Sequence, residues 1–565
     1  MKKVNNYWLR KAASSRLSRR RFVGGAAMAG AGATSLALVG CGNDDDDDDV
    51  APPPPDDDDN GEPAPTPTPD DEPQDGGTLR TGTFLDVLGI DPHIEVSVGL
   101  TTAQRVYTYL IGFDNVNNEY KNLLASGVEQ PSETEFVFTL RDDVRFQDIA
   151  PVNGRQVTAE DVLYSFERFR DLPEAQNNDF FRFFTDSMEA IDDQTFRLTT
   201  VMPYAESLAE IGGSQKAIVP REAVEEWGDL SADAIGAGPY ILEEYVRGER
   251  EVLVRNPDYF EEGLPRLDAW NRQVILDMSS LLQAYEGDQL DINGALLNKL
   301  DFEGLEPLPD RVSGSMPALH YGSLGLNASM EPFNDPRVRR AMYLALDRNI
   351  FVNLLGFGDG FHMGPLSAGL EFWSLSQEEL APYTTPNYEE ARALLAEAGY
   401  EDGFDLPIET SAGVQLYIDH AEIVVDELAK VGVRATLELS DLSTYLSTKL
   451  FAGDFGPATI FTHNPYETPK IPLGFYHKDG IGGGSWFGYD NPDVTAAIDA
   501  QIMELDGEAR REKVREAQFL ILDDWAPLIN LYSPVAYWSH HERVGGWDPS
   551  FRGFQNFRYT EYLRS

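Results

Sequence analysis

Cysteine is almost absent: Cys41 is the only one in 565 residues. A single thiol excludes an internal disulfide framework and any multi-cysteine zinc site. Basic residues are scarce too, 45 against 95 acidic, for a formal charge of -50. A surface so negative repels nucleic-acid phosphates and anionic headgroups, which argues against DNA, RNA and polybasic membrane docking. Beyond residue 40 no apolar run reaches the roughly 18 residues that a membrane-spanning helix needs. Catalytic signatures are missing as well. Gly483 precedes Ser485 as in a nucleophile elbow, but Phe487 stands where the second glycine belongs. There is no Walker loop, and His540-His541-Glu542 has the wrong spacing for a zinc-protease helix. The eight histidines are scattered. His463 and His477 are weak metal candidates, and no cofactor is expected. Triads are assembled across a fold, so an exported lipoprotein hydrolase or metal-dependent enzyme remains the alternative reading.

What is present begins with an export address. The first 40 residues hold eight bases, and Ser18-Arg19-Arg20-Arg21-Phe22-Val23 has the form of a twin-arginine signal. A mild Ala- and Gly-rich stretch leads to Leu38-Val39-Gly40-Cys41, which looks like a bacterial lipobox with Cys41 as the lipidated residue. Residues 1–40 are therefore expected to be removed, leaving a protein tethered outside the cytoplasm by lipid. Residues 41–76 read as a spacer: aspartate runs repel themselves and prolines favour extended backbone. Residues 1–76 contain 15 of the acids and 8 of the bases, so 80 acids face 37 bases in the remainder. Such an acidic folded part suits external salt, where screening relieves self-repulsion.

From Gly77 onward, strand and helix patterns alternate. Phe136, Phe138 and Leu140 share one face of a strand. Thr158 with Asp161 forms an acidic variant of the capping box, and Val162, Phe166 and Phe169 make the stripe behind it. Asp335-Pro336 is an N-cap and first-turn pair, with Val338, Ala341, Met342 and Ala345 following at helical spacing. Asn387 caps a helix that stops at Gly399; 421–430 reads as helix, Gly432 as its stop, and Val433, Ala435, Leu437 and Leu439 as a strand. This alternation predicts α/β layers with mixed sheets.

Several segments then occur in a familiar order. They are Leu140-Arg141-Asp142-Asp143-Val144-Arg145-Phe146, Val157-Thr158-Ala159-Glu160-Asp161-Val162, Gly236-Ala237-Gly238-Pro239-Tyr240, Arg255-Asn256-Pro257-Asp258-Tyr259-Phe260, Pro332-Phe333-Asn334-Asp335-Pro336-Arg337-Val338-Arg339, and 391–404. With 491–494 and 515–527, the chain resembles the family 5 extracellular solute-binding proteins of ABC importers over about 77–548. The resemblance implies a two-lobed, periplasmic-binding-protein-like clamshell with a hinge and an extra subdomain inserted in lobe I. Lobe I is expected at 77–315, its insert at about 113–218, lobe II at 316–535 and a return to lobe I at 536–565. Strands near 319–326 and 530–538 are the expected hinge. The implied partners are a small solute, most readily a peptide, and the permease subunits. The membrane is met through the lipid only, and a monomer is expected. A metal chelate, an oligosaccharide and an organic cation stay open as ligands.

In peptide binders of this family, an aspartate in a D-x-x-D-P-like loop pairs with the ligand's amino terminus. Here that place reads His463-Asn464-Pro465-Tyr466-Glu467-Thr468-Pro469, with no aspartate. Glu467 is either the ammonium contact or a solvated loop acid; Asn464 offers only a neutral dipole, and Tyr466 adds a ring. Ser485, Trp486 and Phe487 follow a glycine run and form either a stacking wall or a surface turn before the helix at Asn491. Trp373 is a third candidate, reading more as core than cleft. Gly99 and Thr101 lie where the family's first strand-to-helix turn faces ligand.

Overall fold

The computed structural model describes residues 73–564 except 86, 88, 96–98, 115–118, 176, 295–296, 451, 481–484 and 548–558. The export signal, Cys41, most of the spacer and Gly482 to Gly484 lie outside the described residues.

Two large sheets organise the chain. In the first, Tyr240–Val246, Arg250–Arg255 and Ala269–Val274 run antiparallel in that order, and Thr78–Thr83 joins the last of them in parallel. Ile292 bridges Thr81 to His540 and so extends this sheet to the antiparallel pair Val535–His541 and Arg311–Pro317. The second sheet has five strands, ordered Arg434–Ser440, Asp405–Ser411, Ala458–His463, Tyr321–Leu326 and Leu528–Tyr532. Parallel and antiparallel pairings mix within it. Each sheet has its own apolar core, one drawn mainly from residues 79–270 and the other from 319–532. This is the two-lobed α/β clamshell with mixed sheets.

A further four-stranded antiparallel sheet, Ala125–Ser132, Glu135–Leu140, Thr195–Thr200 and Thr185–Asp192, sits within the first lobe's chain. Helix Ala159–Asp171 packs on it. The Asp161 carboxylate accepts the Thr158 N–H at 2.9 Å, satisfying one orphan donor of the first turn. The stripe behind this cap is buried: Phe166 meets Phe181 at 4.9 Å and Phe196 edge-on at 5.6 Å. Gly236 and Gly238 earn their place by contact, since a Cβ on Gly238 would lie 2.6 Å from the Arg105 carbonyl oxygen.

Two boundaries differ from the sequence reading. The helix expected at 421–430 begins earlier, as Gln415–Ala429. Tyr417, His420, Val424 and Leu428 continue one buried face upstream, while Gln415 and Asp419 hydrogen-bond outside it at 2.7 Å. The strands expected to cross the hinge do not cross. Tyr321–Leu326 and Leu528–Tyr532 belong wholly to the second sheet, and Arg311–Pro317 and Val535–His541 to the first. The chain passes between lobes in short irregular pieces at 318–320 and 533–534. Pro534 has no N–H to continue a ladder, so the sheet must break there.

A loop from the second lobe holds both crossings. Ser367 Oγ donates to the Ala318 carbonyl at 2.5 Å and lies 3.2 Å from Ser533 Oγ. Ser533 and Phe361 exchange backbone hydrogen bonds at 2.9 Å, and Ala318 N–H donates to the Pro534 carbonyl at 2.8 Å.

Truncating Phe166 to Ala is expected to cost about 3 to 5 kcal/mol, read as a lowered urea midpoint. A midpoint equal to that of the parent protein would remove this ring from the core account.

Candidate functional site

The lobes face each other across a cleft that is bridged at both ends. At the outer end, the backbone N–H of Ala205 donates to the Ile502 carbonyl at 2.8 Å. Buried Glu206 accepts from Arg510 at 2.5 Å and from the Thr468 hydroxyl at 2.8 Å. One turn further along the short helix Ser207–Ile211, Glu210 accepts from Lys470 at 2.6 Å and lies 3.9 Å from Lys216. Burial works to raise the Glu210 carboxyl, but Lys470 and Lys216 outweigh it and hold it below the usual range. At the hinge end, Asp359 accepts from Lys299 at 2.9 Å and from the Tyr537 hydroxyl at 2.8 Å.

The loop after strand Ala458–His463 supplies one wall between these ends. His463 is 4% exposed and stacks on Tyr321 at 4.3 Å. Its Nε2 lies 3.0 Å from Ser323 Oγ, whose hydrogen is given to Asn530 Oδ1 at 2.6 Å. The imidazole therefore donates from Nε2, which leaves Nδ1 as a buried acceptor without a protein partner among the described residues. Burial pulls this histidine down to about 3, so it is neutral. Tyr466 stands edge-on to His463 at 6.0 Å, and Phe475 lies between His463 at 4.9 Å and Trp486 at 5.3 Å. Both Tyr466 and Trp486 are half-buried.

Glu467 is half-buried by exposure, yet packed closely enough that burial pushes its carboxyl up to about 8, with Lys216 pulling the other way. Asn464 is exposed. Ser485 Oγ accepts the Tyr489 N–H at 2.9 Å and shapes a turn. Phe487 is fully buried, its ring lying against the bare backbone of Gly325 and near Phe461. Trp373 is 4% exposed and lies under the Arg510 guanidinium at 4.9 Å, so it supports the bridge to Glu206. Gly99 starts helix Gly99–Val106, where a Cβ would meet the Gly89 carbonyl and the Glu95 side chain. Thr101 is half-buried. Gln215 donates to the Glu95 carbonyl at 3.0 Å, tying this turn to the Lys216 segment. His477 lies 3.3 Å from Asp499 and accepts the Asp479 N–H, a different setting from that of His463. Among the described residues no three His, Cys, Asp or Glu side chains are grouped to hold a metal, and no helix is long and apolar enough to cross a membrane.

Among the described residues, a half-open cavity of about 170 Å³ lies on the hinge side of the cleft. Its wall includes Lys299 and Tyr537 from the first lobe and Tyr321, Asp359, His420 and Tyr532 from the second. None of these was singled out from sequence, nor were Glu206, Glu210, Lys216, Lys470 and Arg510. The i, i+4 pair Glu206 and Glu210 on one short helix was the only local sign.

A half-open space walled by two bodies that share a hinge is a geometry suited to capture. The family model for bacterial extracellular solute-binding proteins, family 5, middle, matches residues 119–481. The chain belongs to that family. Its curated relatives include the probable D,D-dipeptide-binding periplasmic protein DdpA of Escherichia coli, 26% identical over 476 residues, covering 79% of this chain and 87% of that protein. The periplasmic oligopeptide-binding protein OppA of Salmonella typhimurium is 26% identical over 516 residues, covering 85% and 90%. Among solved structures, the periplasmic binding protein DppA of Helicobacter pylori in complex with the peptide STSA has a TM-score of 0.71 at 23% identity, covering 87% of this chain and 99% of that one. The protein is accordingly a bacterial extracellular solute-binding protein.

Replacing Arg510 by Met leaves Glu206 buried without its cation, a loss of about 3 to 5 kcal/mol for the closed arrangement. Small-angle scattering should then report a larger radius of gyration than for the parent protein; equal radii would remove the bridge from the closing mechanism.

Proposed function

We propose that this protein captures a small peptide or peptide-like solute between its lobes outside the cytoplasmic membrane and passes it unaltered to an ABC permease. The observation that carries the ligand class is the carboxyl of Glu467, set in the cleft beside the aromatic wall of His463, Tyr466, Phe475 and Trp486. A carboxyl held protonated by burial gains most from a ligand ammonium, which restores its ionised form. The rings offer apolar and stacking surface to the rest of the ligand. Asn464 contributes a neutral dipole at the rim. Gly99 and Thr101 bring the first lobe's helix start toward the same space, and Ser485, Phe487 and Trp373 hold the wall and the outer bridge in place.

Capture works by differential binding. A ligand touching both lobes stabilises the closed state over the open one, and moving the population from 1:99 to 99:1 takes about 5.5 kcal/mol. Lobe I is the chain from about 77 to the first crossing, with its insert at about 113–218, together with the return after the second crossing; lobe II lies between the two crossings. Motion occurs at the two crossings. The chain is exported through its twin-arginine signal and held by lipid on Cys41, and the spacer up to residue 76 lets a monomer reach its permease while remaining tethered. A Cys41→Ala protein should leave the membrane fraction and stop partitioning into detergent; retention there would remove the lipid anchor.

The sign of the pH dependence follows from Glu467. Its bound-proton affinity is raised above the ordinary glutamate value of 4.5 toward about 8. The folded cleft therefore gains stability at low pH and loses it as pH climbs through that window. An ammonium ligand reverses the shift and expels the proton. Calorimetry of an amine-bearing dipeptide at about pH 6.5, in buffers of different ionisation enthalpy, should show proton release. Glu467→Gln should abolish the release and weaken binding by about tenfold or more. Unchanged affinity in that variant would refute the ammonium contact. Mass spectrometry of solute freed from the denatured native protein identifies the ligand directly.

A further inference from the structure

The cations of the outer bridge are not equally employed. Arg510 and Lys470 each reach a carboxylate, Glu206 at 2.5 Å and Glu210 at 2.6 Å. Lys216 does not. Its nearest carboxylate oxygen is the second one of Glu210, 3.9 Å away and past hydrogen-bond reach. Among the described residues its ammonium donates to nothing. Yet Lys216 is only 6% exposed. A buried cation with idle donors is costly until an acceptor arrives.

The ammonium is held in place from behind. The Lys216 N–H closes a turn on the Gly213 carbonyl at 2.9 Å. The side chain folds back over that turn, so that a Cβ on Gly213 would lie 3.1 Å from Nζ. The Phe169 ring supports Nζ from 5.1 Å. In front, Nζ is open: it keeps accessible surface, unlike the sealed hydroxyl of Tyr204, and 8% of the side chain is exposed.

The cleft loop of the second lobe lies opposite. Thr468 is held by Glu206 and Lys470 by Glu210, which pins this loop to the helix Ser207–Ile211. Glu467 adjoins Thr468, and Glu467 and Lys216 feel each other's charge. Neither nearby carboxyl relieves the lysine. Glu210 is engaged by Lys470, and burial keeps a proton on Glu467 near neutrality, pushed up to about 8. Asp179, a further acid in this region, acts on Lys470 and Glu210. Gln215 donates to the Glu95 carbonyl at 3.0 Å and so fixes the lysine's segment against the turn before the Gly99 helix.

We propose that Lys216 is the first lobe's anion contact in the cleft, receiving a carboxylate of the captured solute while Glu467 takes its ammonium. The solute is then a short zwitterion whose two poles are shared between the lobes. The proposal rests on capture between the lobes and deepens it by naming the second charged group of the ligand. A carboxylate on Lys216 makes charge-assisted hydrogen bonds with donors that are otherwise idle. Because its partner pole sits on the other lobe, the same molecule rewards closing.

The test is calorimetry on the full chain with the dipeptide Ala-Phe and its C-terminal amide, which keeps the ammonium and loses the carboxylate. The parent protein should bind the acid about tenfold tighter than the amide or better. In Lys216→Met the two should bind alike. Lys216→Gln keeps a donor without the charge, should also erase the preference, and covers the case in which the Met variant does not fold. The acid-to-amide ratio is the readout, because loss of a cation beside Glu210 weakens both ligands equally. A parental ratio near one, or a ratio that survives either substitution, overturns the assignment. If the ratio is near one while both forms bind, the carboxylate contact alone falls and capture stands. If the parent binds neither form, the assignment falls together with the peptide reading beneath it.

Discussion

Everything in this molecule that resembles a machine depends on two short passages of backbone. At 318–320 and 533–534 the chain leaves one sheet and enters the other, and between the strands on either side there is no shared ladder. Were the strands continuous, rotation of one lobe would shear a row of hydrogen bonds. Because they are interrupted, with Pro534 at one break, the lobes can turn about a few dihedral angles while both sheets stay intact. Ser367 and Ser533, both fully buried, keep the two passages side by side through hydroxyl contacts that tolerate small rotations better than a ladder does.

The bridges at the mouth take on their meaning from the composition. A chain with a charge of -50 has few cations to spare. Lys216, Lys470 and Arg510 are nevertheless gathered where the lobes meet, against Glu206 and Glu210. Here opposite charges from both lobes meet in a largely buried cluster, where screening by salt is weak. Closing thus brings together groups that are individually expensive to desolvate, and the arrangement is favourable only when all of them arrive. That makes the mouth selective for a fully shut geometry over a half-shut one.

Local features were legible from sequence because their causes are local. Asp335 does cap its helix, accepting the Arg337 N–H at 2.8 Å, and Asn387 accepts from Glu390 at 3.1 Å. The phenylalanines of 136–169 do form one core. The helix over Gln415–Ala429 was read short because its first turn mixes buried Tyr417 with polar Gln415 and Asp419. The cleft was legible only in the loop around Glu467, through resemblance. Glu206 and Arg510 are separated by 304 residues, and nothing in either neighbourhood announces the other. His420 was unreadable for a subtler reason. The room for its ring depends on a glycine nearly a hundred positions away in a different element.

That glycine has a counterpart. Strand Tyr321–Leu326 is buried at every position, yet at Gly322 and Gly325 it has no side chain of its own. His420 and Phe487, from elsewhere in the second lobe, lie on the bare backbone instead. The strand that leads directly into one crossing therefore lends its surface to borrowed rings. A side chain added at either glycine would have to push its ring off the strand, so each ring and its glycine can change only together.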